Sequence, residues 1–225
     1  MCPSPFGVPG LCQPEEPLRR VLSGVLGCGF PHHGISRGNS PAPGHVYPDM
    51  SAAAHLLTLP GGTRFTFRPI EAGDKAALAC FFQRLSDESR RRRFLGAKPS
   101  LSKRDLTFLT EVDQRRHVAL VALDAAGAIV AVARYAAWPG ESDRAELAFA
   151  VVDEWHGRGL ASALGDRLVA HARASGMTAL TGSTFALNEP AKALLRRLGL
   201  LPTGISAGVA EFELRFGTAT LPAAA

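Results

Sequence analysis

Residues 144–162 read Arg-Ala-Glu-Leu-Ala-Phe-Ala-Val-Val-Asp-Glu-Trp-His-Gly-Arg-Gly-Leu-Ala-Ser. The first nine are mostly small or apolar and indicate a β-strand over about residues 144–152. A helix is predicted from about Gly159 to Ala174, since Gly176 follows and can adopt the left-handed conformation that often ends helices. The stretch therefore predicts a strand, a glycine-containing turn and the N-terminus of a helix.

The turn has the chemistry of a phosphate-binding loop. A helix N-terminus presents unpaired main-chain amides and the positive end of the helix dipole. Gly157 and Gly159 allow phosphate oxygens to approach the backbone closely, and Arg158 adds a mobile cation. The loop therefore predicts a site for a pyrophosphate-bearing ligand, although a Gly-x-Gly pair alone would favour an ordinary tight turn.

Residue content excludes two other kinds of phosphate loop. A P-loop ends in Gly-Lys-Ser or Gly-Lys-Thr, and the chain has neither. A dinucleotide-binding fingerprint needs a third glycine and an acidic residue about 20 positions further on. Ser162 stands at the third glycine position, and the next predicted strand ends in Gly182-Ser183-Thr184 without a carboxylate.

Regular patterns extend outward from this stretch to residues 65 and 216. They predict the order β-α-α-β-β-β-α-β-α-β-β, with helices capped by Asp74, Ser102 and Asn188. Adjacent strands are expected to pair antiparallel, whereas the strand-helix-strand unit of residues 144–184 requires one parallel crossover. The predicted fold class is α/β, with a mixed, mostly antiparallel sheet, one parallel β-α-β crossover and helices on both faces.

The two ends of the chain have a different character. Pro and Gly recur through residues 1–62, so this N-terminal extension is predicted to be mostly disordered. Met50 is a candidate for the true start, because patterned sequence begins soon after it. Residues 63–217 are predicted to form one folded domain, and residues 218–225 a flexible tail.

Composition narrows the function classes. The chain has 225 residues, a formal net charge of +5 and a pI of about 9.4, which suits an anionic ligand. The basic residues are too scattered to indicate nucleic acid, and no apolar run reaches the ~18 residues that a membrane span needs. The four cysteines form no C-x-x-C pair and no metal spacing connects His117 with His171, so we expect no metal, no disulfides and a cytoplasmic location.

The quoted loop resembles the signature of the GNAT acyltransferases, Gln/Arg-x-x-Gly-x-Gly/Ala. His156-Gly157-Arg158-Gly159-Leu160-Ala161 departs from it only at its first position. Asn188 to Ala191, followed by Leu198-Gly199-Leu200, is similar to that family's Asn-x-x-Ala…Leu-Gly-Phe element. The resemblance covers roughly residues 64–216, and the predicted order of elements is also that of the family.

Within GNAT the chain looks closest to the catalytic domain of Pat-type protein lysine acetyltransferases. The similar segments are residues 81–90, residues 132–135 and the Arg-Ala-Glu strand leading to Trp155. The resemblance implies acetyl-CoA as donor and a primary amine as acceptor, a protein lysine being favoured over a small molecule. A catalytically silent acyl-CoA-binding module and either a monomer or a homodimer remain open alternatives.

The resemblance also implies roles for individual residues. Glu146 matches the family's general base; taken alone, it would be read as a solvated carboxylate on a polar strand face. The main chain near Phe149, Ala150 and Val151 would polarise the thioester and pair with pantetheine, and Asn188 would contact the pantetheine arm. The implied pyrophosphate contacts are His156, Gly157, Arg158, Gly159, Leu160, Ala161 and Ser162.

Two features fit the resemblance less well. Leu195 stands where many GNAT enzymes have a tyrosine that protonates the leaving thiolate. The arginine run, Arg90 to Arg93, is interpreted first as a solvated helix end. If it is functional, it could border the acceptor groove and select acidic surroundings of a target lysine.

Overall fold

The computed structural model describes residues 55–59, 62–138, 140–141 and 143–217. The predictions of disorder before residue 55, of a start at Met50 and of a tail at 218–225 therefore lie outside the described residues. The strands are β1 (His55–Thr58), β2 (Arg64–Pro69), β3 (His117–Leu123), β4 (Ile129–Ala137), β5 (Arg144–Val151), β6 (Ala179–Phe185), β7 (Leu201–Ser206) and β8 (Val209–Arg215). The helices are α1 (Lys75–Arg84), α2 (Asp87–Phe94), α3 (Lys103–Thr110), α4 (Leu160–Ala174) and α5 (Glu189–Arg197).

The eight strands form one sheet in the order β1-β2-β3-β4-β5-β6-β8-β7. All neighbours pair antiparallel except β5 and β6, which are parallel and joined through α4. The predicted mixed sheet with one parallel crossover is therefore confirmed. The apolar core is centred on β3 and β4, whose residues are nearly all buried.

Helices cover both faces of this sheet, as predicted. The side chains of neighbouring residues on a strand point to opposite faces. On β4, the Tyr135 hydroxyl lies 2.7 Å from Nδ1 of His171 on α4, whereas Arg134 donates a 3.1 Å hydrogen bond to the Leu109 carbonyl on α3. Within the described residues, none of these helices combines the length and apolarity needed to cross a bilayer.

The parallel pair is short, and this positions the site. β5 and β6 pair only between residues 144–147 and 179–182. Beyond that point β5 stays paired with β4 to Val151, and β6 stays paired with β8 to Phe185. The two strands therefore part and leave a gap in the middle of the sheet.

Two elements differ from the sequence-based expectation. β1 lies inside the segment predicted as disordered; it pairs with β2, and Leu59 behind it is buried. The strand was missed because only four residues precede the Pro-Gly-Gly at 60–62, too few for a visible period. α2 was missed because Phe94 is its one apolar residue, so its sequence has no helical hydrophobic pattern.

Candidate active site

A cleft of about 600 Å³ lies where β5 and β6 part. Its floor is β5, its sides come from α2 and α5, and the turn that leads into α4 closes one end. Eleven of the twelve predicted site residues line it: Glu146, Phe149, Ala150, Val151, His156, Gly157, Gly159, Leu160, Ala161, Ser162 and Asn188. The fold therefore brings the strand and loop halves of residues 144–162 into one cavity with Asn188.

Left-handed glycines shape the loop end of the cleft. Gly157 has φ +69° and Gly159 has φ +90°, conformations that strain any residue with a Cβ. Gly159 is also the N-cap of the 15-residue α4, and its carbonyl accepts the first helical hydrogen bond, from Ala163. The positive end of α4 therefore opens onto the cleft, as an anion site requires.

His156 ties this loop to the end of β5. Its Nε2 lies 2.8 Å from the carbonyl oxygen of Val151 and 3.6 Å from Oδ1 of Asp153. With a proton on Nε2, the ring donates to the Val151 carbonyl. His156 thus has a bracing contact within the loop, and it still lines the cleft.

Arg158 is the one predicted site residue that does not line the cleft. Its guanidinium lies 4.6 Å from the centre of the Trp155 ring, which packs edge-on against Phe65 at 4.8 Å. A guanidinium over an aromatic face is a favourable cation–π arrangement. Arg158 is therefore held against Trp155, a residue that itself lines the cleft.

Glu146 lies at the end of the cleft away from the loop. It is only 3% exposed, opposite Ala136 of β4 and beside Thr181 of β6. Strand alternation puts it on the same face as Arg134, the face that α2 packs against. Its burial excludes the alternative interpretation of Glu146 as a solvated carboxylate on a polar face.

Arg93 lines this end of the cleft, and Arg134 and His117 lie close enough for the charge of Arg93 to act on both. Burial lowers the pKa of Arg93 to about 10, while the charge of Glu146 acts in the opposite direction. Burial and the charge of Arg93 lower the pKa of Arg134 to about 9. Burial and the charge of Arg134 lower the pKa of His117 to about 3. Both guanidiniums are therefore charged at neutral pH, and neutral His117 can accept the 3.1 Å hydrogen bond from Arg134 at Nε2.

Asn188 stands at the start of α5, on the far side of the cleft. Its Oδ1 accepts a 3.4 Å hydrogen bond from the Ala191 amide, so it caps the helix as predicted. Its Nδ2 donates to the Thr184 hydroxyl at 3.0 Å, which fixes the end of β6. Both side chains are buried, and both line the cleft.

The cleft thus has a helix N-terminus at one end and a buried carboxylate at the other. Residues 79–200 match the family described as the acetyltransferase (GNAT) family. The chain belongs to the GNAT family. The protein is therefore an acetyltransferase by membership.

Individual GNAT relatives support the same placement. The chain is 31% identical over 147 residues to acetyltransferase PA5475 of Pseudomonas aeruginosa, covering 64% of this chain and 78% of that one. It is 29% identical over 168 residues to acetyltransferase Pat of Mycolicibacterium smegmatis, covering 72% of this chain and half of that longer protein. The GNAT domain of S. lividans PAT superposes with a TM-score of 0.67 at 29% identity, covering 72% of this chain and 97% of that domain.

Leu195 is the residue that the resemblance matches to a tyrosine of many GNAT enzymes. It is buried, lines the cleft, and packs so closely on β6 that a Cβ at Gly182 would lie 2.8 Å from its Cδ2. Among the described residues around the cleft there is no tyrosine, and no group of residues suited to a metal ion occurs in the described part of the chain. The side-chain hydroxyls that line the cleft are those of Ser89, Ser162, Ser183 and Thr184.

Of the α2 wall, the sequence indicated only the arginine run, as the alternative in which it borders the acceptor groove. Leu85, Ser89, Arg92, Arg93 and Leu95 line the cleft from α2 and its two ends. The available signal was Ser86, an N-cap followed by acidic residues and then basic ones, which is the charge order that a helix dipole favours. That signal predicts a helix, but its docking over β5 depends on tertiary contacts that no local pattern carries.

Proposed function

We propose that this GNAT protein transfers the acetyl group of acetyl-CoA to the side-chain amine of a protein lysine. The observation that carries the proposal is one cavity with a helix N-terminus at one end and the buried carboxylate of Glu146 at the other. The first suits a diphosphate, and the second suits removal of a proton from an amine.

The donor would lie along β5. The amides at the start of α4 receive the diphosphate, since the helix dipole and the unpaired N–H groups favour negative charge there. The pantetheine arm follows β5 where β6 has parted from it, so that its amides can replace the missing strand pairing near Phe149 to Val151. Asn188 borders the same path from α5.

The acceptor amine would enter beside Glu146. A lysine amine has a reference pKa of ~10.4 and must lose a proton before it can attack. The Glu146 carboxylate takes that proton, directly or through a water. The amine nitrogen then bonds to the thioester carbon, and a main-chain N–H of β5 near residues 149–151 stabilises the developing oxyanion.

Collapse of the tetrahedral adduct breaks the carbon–sulfur bond and releases CoA as a thiolate. Leu195 has no proton to give, so the thiolate takes its proton from water. The adduct nitrogen loses its remaining extra proton to water, Glu146 returns its proton to solvent, and the products are the acetylated amine and CoA. The resemblance to Pat-type protein lysine acetyltransferases favours a protein acceptor, and the matches to Pat of M. smegmatis and to the S. lividans PAT domain support that resemblance.

The test is a free-thiol assay with acetyl-CoA over lysine peptides, a folded acceptor protein and a panel of small amines, with acetylated sites mapped by mass spectrometry. The proposal expects thiol release that depends on a lysine. Turnover of small amines alone would show that the acceptor is a small molecule rather than a protein lysine. Tight acetyl-CoA binding without transfer to any amine would show that the protein is a catalytically silent binding module.

A further inference from the structure

The α2 wall runs along the cleft from its loop end to its Glu146 end. Its first turn is fixed at the loop, where the Ser86 amide donates a 2.9 Å hydrogen bond to Asp153. Its last turn carries Arg93, which is close enough to Glu146 for the two charges to interact. α2 therefore faces both the donor and the acceptor, and its C-terminal half borders the place where the amine reacts.

The arginines of the run, Arg90 to Arg93, differ in the contacts that their side chains make. Arg90 donates to the carbonyls of Leu85 and Pro99 and thereby holds the fold of α2. Arg91 and Arg92 both bind the Glu88 carboxylate, at 2.9 and 2.7 Å.

Arg92 and Arg93 are the members of the run that line the cleft. The simple interpretation of the run as a solvated helix end therefore fails for Arg93. Its side chain is half-buried and borders the cavity rather than bulk water.

The Glu146 end carries more positive than negative charge. Arg93 and Arg134 are both cationic at neutral pH, His117 is neutral, and Glu146 is the carboxylate among these four. The carboxylate of Asp113, whose charge acts on His117, is held by the main-chain amides of residues 115–117, and Glu88 at the start of α2 is held by two arginines. A buried excess cation is costly unless a partner neutralises it.

We propose that this excess charge selects the acceptor, so that the enzyme acetylates amines with a carboxylate close by, above all a lysine beside an acidic residue, with Arg93 as the residue that binds that carboxylate. Arg92 borders the same path at the helix surface. This inference rests on the proposed function, since it describes the acceptor of the same reaction. A guanidinium offers several fixed N–H donors to a carboxylate, and such charge-assisted contacts are the strong ones.

The experiment compares peptides that are identical except for the residues flanking one lysine, which are Glu, Gln or Lys. The unmodified enzyme should show kcat/KM about tenfold higher for the Glu peptide than for the Gln peptide, as one added charge-assisted hydrogen bond predicts. The Lys-flanked peptide should be the poorest. The Glu-to-Gln ratio should fall as salt is added, because the cleft is open to solvent at one side.

Two variants then assign the preference. Arg93→Gln should bring the Glu-to-Gln ratio close to one, and Arg93→Lys should retain part of it. Arg104→Gln, which removes an exposed arginine on α3 outside the cleft, should leave the ratio unchanged. A ratio within one enzyme does not report on folding or on the base Glu146, because both peptides meet the same enzyme.

Each result has a definite meaning. Equal kcat/KM for Glu and Gln peptides, or a ratio that survives Arg93→Gln, overturns this inference while leaving acetyl transfer intact. Preference for free glutamate over its amide, with peptides inert, supports carboxylate binding but overturns the protein lysine as its source. Failure to acetylate any amine overturns the proposed function itself.

Discussion

The carboxylate of Asp153 holds the N-terminus of α2: its Oδ2 accepts a 2.9 Å hydrogen bond from the main-chain amide of Ser86, and its Oδ1 accepts one from the Ser89 hydroxyl. Asp153 is also three residues before His156 in the loop that leads into α4. The Asp153 side chain therefore links α2 with the loop that leads into α4. Partial burial disfavours its charge, but the hydrogen bonds from Ser89 and Ser86 outweigh that effect and lower the pKa of Asp153.

Removing this link should loosen α2 without removing a group that meets either substrate. Asp153→Ala should raise the KM for the amine several-fold and cost about 1 kcal/mol of stability, the usual net value of such a hydrogen bond. Asp153→Asn keeps one acceptor oxygen, so its amine KM and its stability should lie between those of the unmodified protein and of Asp153→Ala. Steady-state kinetics and thermal unfolding measure both effects. Unchanged amine KM in Asp153→Ala would mean that α2 is held by its other contacts.

Glu146→Gln should lower kcat by about 10²–10⁴-fold, the usual contribution of a general base, because the amide cannot take the proton from the amine. Calorimetry with CoA should give a nearly unchanged Kd, since the carboxylate lies at the opposite end of the cleft from the loop. Glu111→Gln makes the same change at an exposed carboxylate just after α3, outside the cleft, and should leave kcat unchanged. Normal turnover by Glu146→Gln across the pH range would show that Glu146 is not the general base.

Gly157 and Gly176 form a matched pair at the two ends of α4. Their φ angles are +69° and +76°, and a Cβ at either would meet nothing within 4 Å. Alanine at either position should therefore cost about 1–2 kcal/mol of stability through backbone strain. Only Gly157→Ala should also weaken acetyl-CoA binding, because it distorts the loop that faces the cleft. Equal acetyl-CoA affinity in the two variants would contradict a role of the loop in binding the donor.

Because the pKa of His117 is lowered in the folded protein, the free energy of unfolding should decrease in mild acid. The folded-state pKa of about 3 lies below its unfolded value of about 6.5, so the unfolded chain takes up the proton first. The stabilisation is complete above pH 6.5 and is lost as the pH falls toward 3, with a slope approaching about 1.4 kcal/mol per pH unit.

Denaturant unfolding at several pH values between 4.5 and 6.5 checks this slope. His117→Gln keeps an acceptor for Arg134 but cannot be protonated, so its stability should depend less on pH. His171 on α4, whose pKa burial also lowers, is unchanged in that variant and should leave a residual slope of the same sign. Identical slopes in the two proteins would show that His117 is not buried as the structure places it.

The sequence predicted best the features that depend on neighbouring residues. The strand, the turn and the helix around Gly159 follow from local hydrophobic pattern and from the glycines, and the helix caps Ser102 and Asn188 are where they were expected. The mixed sheet followed from the order of these elements. These features need no knowledge of what packs against them.

What the sequence did not predict depends on distant parts of the chain. Glu146 is buried because α2 covers β5, and α2 has no hydrophobic period that would have indicated it. The stacking of Arg158 on Trp155, a residue three positions earlier that lines the cleft, is likewise a contact that the loop motif does not carry. The division of the arginine run into structural and cleft-lining members also requires the folded arrangement.

The parting of β5 from β6 has a mechanical consequence. The four-residue parallel pairing joins a five-stranded part of the sheet, β1 to β5, to a three-stranded part, β6 to β8, so few strand hydrogen bonds hold the two parts together at this seam. A molecule that hydrogen-bonds to both β5 and β6 across the gap adds a connection between the two parts of the sheet. Occupancy of the cleft should therefore set the stiffness of the whole sheet as well as complete a reaction site.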